Sequence, residues 1–195
     1  AELKNLRAQI NPHFLLNTLN NIYALTAIDA TRAQKAIDEL SKILRYVLYE
    51  NDRDFVHLVD ETNFLKNYVN LMRIRVSSNV DVKMNIDIPQ DCHACIAPMI
   101  VISLVENAFK HGISASEPSY ISIDIKASND KIECEIRNSN FPKTQSDHSG
   151  HGIGLKQVAK RLELAYNGNY KWEKWTDEKE YNSKIIIYDT KLCYY

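Results

Sequence analysis

Leu104-Val105-Glu106-Asn107-Ala108-Phe109-Lys110-His111-Gly112 is the stretch whose reading decides the fold. It closes a helix predicted from about Pro98 to Gly112 and follows an apolar run from Ala94 to Val105. Four polar side chains then crowd into about one and a half turns. Asn107, Lys110 and His111 stand at i, i+3 and i+4 and therefore share a face. An amide oxygen, an ammonium and an imidazole pointing the same way can hold a magnesium ion and the phosphates it bridges. The same residues also read as a polar helix end beside a Gly112 C-cap.

Around this helix the hydrophobic period is that of strands. Val80 to Ile88 alternates (Val80, Val82, Met84, Ile86, Ile88) up to Pro89, which predicts a half-buried strand. Downstream, strands are predicted over Tyr120–Ala127 and Lys131–Arg137 around an Asn129-Asp130 turn. A polar loop from Asn138 to Ser149 leads to a helix over about Ile153–Tyr166, and strands follow near Tyr170–Trp175 and Tyr181–Tyr188. Before residue 60 the pattern is helical: about 11–28, then about Arg32 to Glu50 with Ile37, Leu40, Ile43, Leu44, Val47 and Leu48 on one face. Asn51 to Asp60 reads as a linker, and Asp60-Glu61-Thr62-Asn63 starts a third helix to about Val76. The expectation is an α+β chain, with a helical hairpin over 1–58 and an α/β domain over 59–195. A lone hairpin has too little partner surface to bury its stripe, so two copies pairing into a four-helix bundle, a homodimer, is expected.

The chain has 195 residues, 45% of them hydrophobic and 25% charged, enough to bury a real core. A net charge of −1 gives no electrostatic footprint for direct nucleic-acid binding. No apolar run approaches the roughly 20 residues that cross a bilayer. A first residue of Ala sets the expectation of a longer protein. Cys92-His93-Ala94-Cys95 has the spacing of a redox or half-zinc motif, but Cys134 and Cys193 supply no second pair, so reduced, structural cysteines of a cytosolic domain are expected.

Two further stretches carry chemistry. Gly150-His151-Gly152-Ile153-Gly154-Leu155 opens a helix after the polar loop, and its glycines let backbone N–H groups approach a phosphate at a helix N-terminus. It matches neither the P-loop nor the dinucleotide fingerprint, so it also reads as a flexible lid. Near the start, Gln9-Ile10-Asn11-Pro12-His13-Phe14-Leu15-Leu16-Asn17-Thr18-Leu19-Asn20 places Asn11 as N-cap, Pro12 at the first helical position and His13 in the first turn. The helix dipole there favours a neutral imidazole and any negative group attached to it. A histidine that merely packs beside Phe14 is the plain alternative.

In this order the three stretches resemble those of the LytS/YehU-type sensor histidine kinases, whose ATP-binding domain belongs to the gyrase, Hsp90, histidine kinase and MutL (GHKL) superfamily. The phosphoacceptor motif is matched from Gln9 to Asn20, the N-box from Leu104 to Gly112, and the G-box at Gly152-Ile153-Gly154-Leu155-Lys156 with Arg161-Leu162 after it. The resemblance implies a GHKL (Bergerat-type) α/β sandwich over 59–195 behind dimerisation and phosphotransfer helices over 1–58. It implies autophosphorylation of His13 by ATP and transfer to an aspartate of a response regulator, commonly one with a LytTR DNA-binding domain. Asn107 is then the Mg2+ ligand, Lys110 and His111 lie near the phosphates, Gly152 and Gly154 hinge a lid with Leu155, and Asn17 orients the imidazole. A sensor in a preceding membrane segment is implied too, making this a cytoplasmic segment of a bacterial inner-membrane protein.

Departures from the family pattern define the alternatives. The adenine-binding aspartate of Asp-x-Gly-x-Gly corresponds to Asn138, followed by Ser139-Asn140-Phe141-Pro142 without either glycine. The glutamate by which GHKL ATPases activate water corresponds to Ser103, and the acidic residue that often follows the histidine is Phe14. Ser103 disfavours a GHKL ATPase unless Glu106 takes over, and Asn138 motivates a nucleotide-binding scaffold without turnover, a pseudokinase.

Overall fold

Elements form where the period of the sequence demands them. The computed structural model describes residues 12–50, 53–141 and 153–193. In chain order these are α1 (Pro12–Thr26), α2 (Ala30–Arg45) running into a π-helical turn Tyr46–Glu50, β1 (Val56–His57), α3 (Leu58–Arg75), β2 (Val80–Asp87), β3 (Ala94–Ile96), α4 (Ile100–His111), β4 (Ser119–Ala127), β5 (Ile132–Ser139), α5 (Ile153–Tyr166), β6 (Tyr170–Thr176), β7 (Glu180–Ile187) and β8 (Lys191–Leu192). They group into two compact units, one running to Arg53 and taking in Asn63–Val76, the other made of Asp54–Thr62 and the chain from Ser77 onward.

In the helical unit, α2 starts at Asp29, whose carboxylate accepts the Arg32 N–H at 3.0 Å, an N-cap of the usual kind. Its inner face is Ala33, Ala36, Leu40 and Ile43. The later part of α3 joins the same core: Phe64 stacks on Tyr46 at 4.5 Å between ring centroids, and Tyr68 meets Phe14 at 5.3 Å. Arg32 donates to the Ile74 carbonyl at 3.0 Å. Leu16, Leu19, Tyr23, Ile28 and Ile37 remain exposed.

The α/β unit is built on a five-stranded sheet of order β2-β4-β5-β7-β6, with β2 and β4 parallel and the other neighbours antiparallel. Strict alternation divides its faces. Ile121, Ile123 and Ile125 of β4, Ile132, Cys134 and Ile136 of β5, and Ile185 and Ile187 of β7 are buried, as are Ile100, Val101, Leu104, Val105, Ala108 and Phe109 of α4 and Val158, Leu162 and Tyr166 of α5. The opposite face is polar, with Asp124 accepting from Asn85 (2.9 Å), Ser122 (3.0 Å) and Arg137 (3.4 Å). One apolar and one wetted face is the ordinary solution for antiparallel strands.

A second, three-stranded sheet of order β1-β3-β8 escapes the sequence reading, because strands of two or three residues show no alternation. It lies partly in the stretch read as a linker. It also corrects the expectation of reduced cysteines: β8 pairs antiparallel with β3 and brings Cys193 beside Cys95, 98 residues away, and the two form a disulfide with Cα atoms 6.1 Å apart. Cys92 and Cys134 are free thiols. Among the described residues no helix is long and apolar enough to cross a membrane.

Candidate active site

The N-box helix is set by its first residue. The predicted start at Pro98 moves to Ile100, because Met99 adopts a left-handed backbone (φ 65°, ψ 17°) and caps the helix without a side-chain bond. Three partners hold this junction: the Met99 N–H donates to the buried Glu61 carboxylate at 3.0 Å, Arg161 of α5 donates to the Met99 carbonyl at 3.1 Å, and the Ala97 N–H donates to the Tyr166 hydroxyl at 2.8 Å. With its start fixed, α4 presents Glu106, Asn107, Lys110 and His111 in its last turns. Asn107 and His111 are half-buried and Lys110 is exposed. Burial raises the Glu106 carboxyl to about 7.

The helix ends against β5. Gly112 caps it with its N–H on the Ala108 carbonyl at 2.7 Å. Its φ is −90°, so the backbone itself does not demand glycine. Space does: a Cβ would stand 2.7 Å from both the Ala108 oxygen and the Asn138 Cβ. Ser139 locks the pair by donating from Oγ to the Gly112 carbonyl at 2.6 Å, while accepting the Tyr120 N–H at 3.0 Å.

Asn138 continues the inward series Ile132, Cys134, Ile136 and is itself buried. Its Nδ2 donates to the Ser139 carbonyl at 2.9 Å, which orients the amide and leaves Oδ1 as an acceptor. Among the described residues nothing donates to that buried oxygen. A buried amide oxygen without a donor is costly, about 1–3 kcal/mol, unless a ligand supplies one. An exocyclic amino group is such a donor, so the residues present fit a purine base at the end of β5.

The structure thus brings Asn138 against the end of the helix that carries Asn107, Lys110 and His111. Gly154 and Leu155 lie in the first turn of α5; a Cβ on Gly154 would meet nothing within 4 Å. Gly152 lies outside the described residues, as does Asn11. His13 stands in the first turn of α1 and Asn17 one turn on, both in the helical unit. The sequence reading missed Ser139 and Glu61. Glu61 looked like an ordinary first-turn acid, and the one signal at Ser139 is that two successive polar residues end an apolar strand.

A mixed sheet with two helices on its apolar face, a buried amide at the end of a central strand and a polar helix end against it define a GHKL-type α/β sandwich, here preceded by helices. Solved structures agree on the fold: the catalytic domain of the histidine kinase ThkA matches at a TM-score of 0.52 and 19% identity, over 69% of this chain and 97% of that one. Residues 1–80 match the family model for histidine kinases. Sensor histidine kinase BtsS of Escherichia coli is 33% identical over 172 residues, 87% of this chain and 30% of that protein. Sensor protein LytS of Staphylococcus epidermidis is 30% identical over 174 residues, 83% of this chain and 29% of that protein. The chain is thus similar to histidine kinases over most of its own length, and it spans about three tenths of the length of these relatives.

Proposed function

We propose that this chain is the catalytic core of a two-component sensor kinase, which autophosphorylates His13 from ATP and passes the phosphoryl group to an aspartate of a response regulator. The observation that carries the reading is the buried Asn138 oxygen, oriented to accept and set beside the N-box helix end. Asn138 would accept from the adenine amino group. Asn107 would hold a magnesium ion, which supplies charge neutralisation to the phosphates. Lys110, exposed on the last turn of α4, would bind the outer phosphates with His111. The neutral His13 imidazole attacks the γ-phosphorus: an N–P bond forms, the bond to the β–γ bridging oxygen breaks, ADP leaves with that electron pair, and the ring gives up its proton. Asn17, one turn along α1, would orient the ring. Gly152, Gly154 and Leu155 would line the phosphate side of the site.

Five exposed apolar side chains on the α1–α2 hairpin support a homodimer as the working form. By likeness to the sensor kinases the regulator is of LytTR type, and attachment to a membrane runs through a segment of a longer protein. The domains of this reading are 1–58 for phosphotransfer and 59–195 for catalysis.

Incubation with γ-labelled ATP and magnesium tests the reading against His13→Gln. Acid-labile, alkali-stable label on the wild type, absent from the variant, is expected. Nucleotide binding without label in the full-length protein identifies a pseudokinase, and steady phosphate release without phosphoenzyme identifies a GHKL ATPase.

A further inference from the structure

The small sheet gathers a second set of reactive side chains outside the nucleotide site. His57 of β1 is the register partner of Cys95 of β3, and Lys191 of β8 is its partner on the other side. Cys193 follows β8 directly, and its N–H donates to the His93 carbonyl at 3.1 Å, which holds the end of β8 against β3. The donor atoms of His57, Cys95 and Cys193 all lie within 4.8 Å of one another, with Cys95 Sγ 3.8 Å from His57 Nδ1. Both cysteines are buried and the histidine is half-buried.

We propose that, once the Cys95–Cys193 disulfide is reduced, His57, Cys95 and Cys193 bind a zinc ion. Tetrahedral zinc, about 2.3 Å from sulfur and 2.0–2.1 Å from nitrogen, separates its donor atoms by about 3.6–3.8 Å. The sulfur–imidazole distance of 3.8 Å already matches. Two thiolates and an imidazole select zinc over magnesium, which takes oxygen donors. Three protein ligands leave the fourth position to water.

The same two sulfurs cannot be both disulfide and ligands, so the two states exclude each other. Two molecules of a small thiol reduce the disulfide by exchange, yielding two cysteine thiols and one small disulfide. Zinc then binds the thiolates, and the two thiol protons are released. The Cys92-His93-Ala94-Cys95 spacing held one ligand of this site; its partners come from distant strands, not from Cys92 or His93.

The test takes the full 195-residue chain, reduced with a phosphine that is then removed, and titrates it with Co2+ and with Zn2+. Cobalt is expected to saturate at one equivalent with thiolate charge-transfer and tetrahedral visible bands, zinc to erase them, and two protons to be released per ion. Cys193→Ser and His57→Gln should each weaken binding at least tenfold, while Cys92→Ser keeps it; circular dichroism checks that each variant is folded. Cys193→Ser carries the test if Cys95→Ser does not fold. Absence of the bands in the reduced wild type, their survival in Cys193→Ser, or their loss in Cys92→Ser overturns the site.

Discussion

The amide of Asn138 differs from a carboxylate in having only one acceptor atom, and its Nδ2 is already committed to the Ser139 carbonyl. In the proposed site, recognition at the end of β5 therefore rests on Oδ1 alone. Asn138→Ala removes that acceptor and should weaken binding of an adenine nucleotide about tenfold, or about 1.4 kcal/mol, by calorimetry, with little change in melting temperature. Gly112→Ala acts on the same atoms from the other side. Its Cβ would collide with the Ala108 backbone oxygen, which cannot step aside cheaply, and with Asn138. A loss of about 1–3 kcal/mol in urea unfolding is expected, together with weaker nucleotide binding. At this scale the shared helix end of Asn107, Lys110 and His111 was legible from their spacing. Gly112 was read only as a C-cap; the further contact with Asn138 that excludes a side chain there was not legible, because it comes from a strand that meets the helix only in three dimensions.

Elements were legible in proportion to their length. The amphipathic stripe of α2 and the alternation of β2, β4 and β5 fixed their identity, since a long period cannot be mistaken. β1, β3 and β8 carry no period, and the start of α4 depends on Glu61 and Arg161, distant in sequence from Met99. The β6–β7 turn offers a direct test of a local device. Asp177 accepts the N–H groups of Lys179 and Glu180 at 2.7 Å each, and these bonds hold its carboxyl below the ordinary aspartate range. A carboxyl lowered in the folded state stabilises above its unfolded value, and that contribution disappears as the pH falls through the folded value. Asp177→Asn should therefore melt below the wild type at neutral pH, with the gap closing in acid; a gap constant with pH would refute the assignment.

For the whole molecule, the helical and α/β halves were expected from the change of period, while the sharing of α3 between the two units was not, because its apolar residues carry no sign of which core they enter. The exposed apolar residues of α1 make the assembly testable. Leu19 and Tyr23 are 52% and 80% exposed. Leu19→Glu with Tyr23→Glu should convert the proposed dimer to a monomer in sedimentation equilibrium while leaving the far-ultraviolet dichroism intact. A wild type that sediments as a monomer at high concentration would refute the dimer.

The parallel pairing of β2 with β4 has a kinetic meaning. Antiparallel neighbours β4–β5 and β6–β7 close through short turns, whereas Val80 reaches Ser119 only after the chain has made β3 and α4 in between. Closing that loop costs more entropy and more time than either hairpin. Refolding should therefore protect the amides of β4 and β5 from exchange before those of β2, and pulse labelling would read the order directly. The helix that presents Asn107 is itself the bridge between β2 and β4, so pairing these two strands and building the proposed nucleotide site become one folding step.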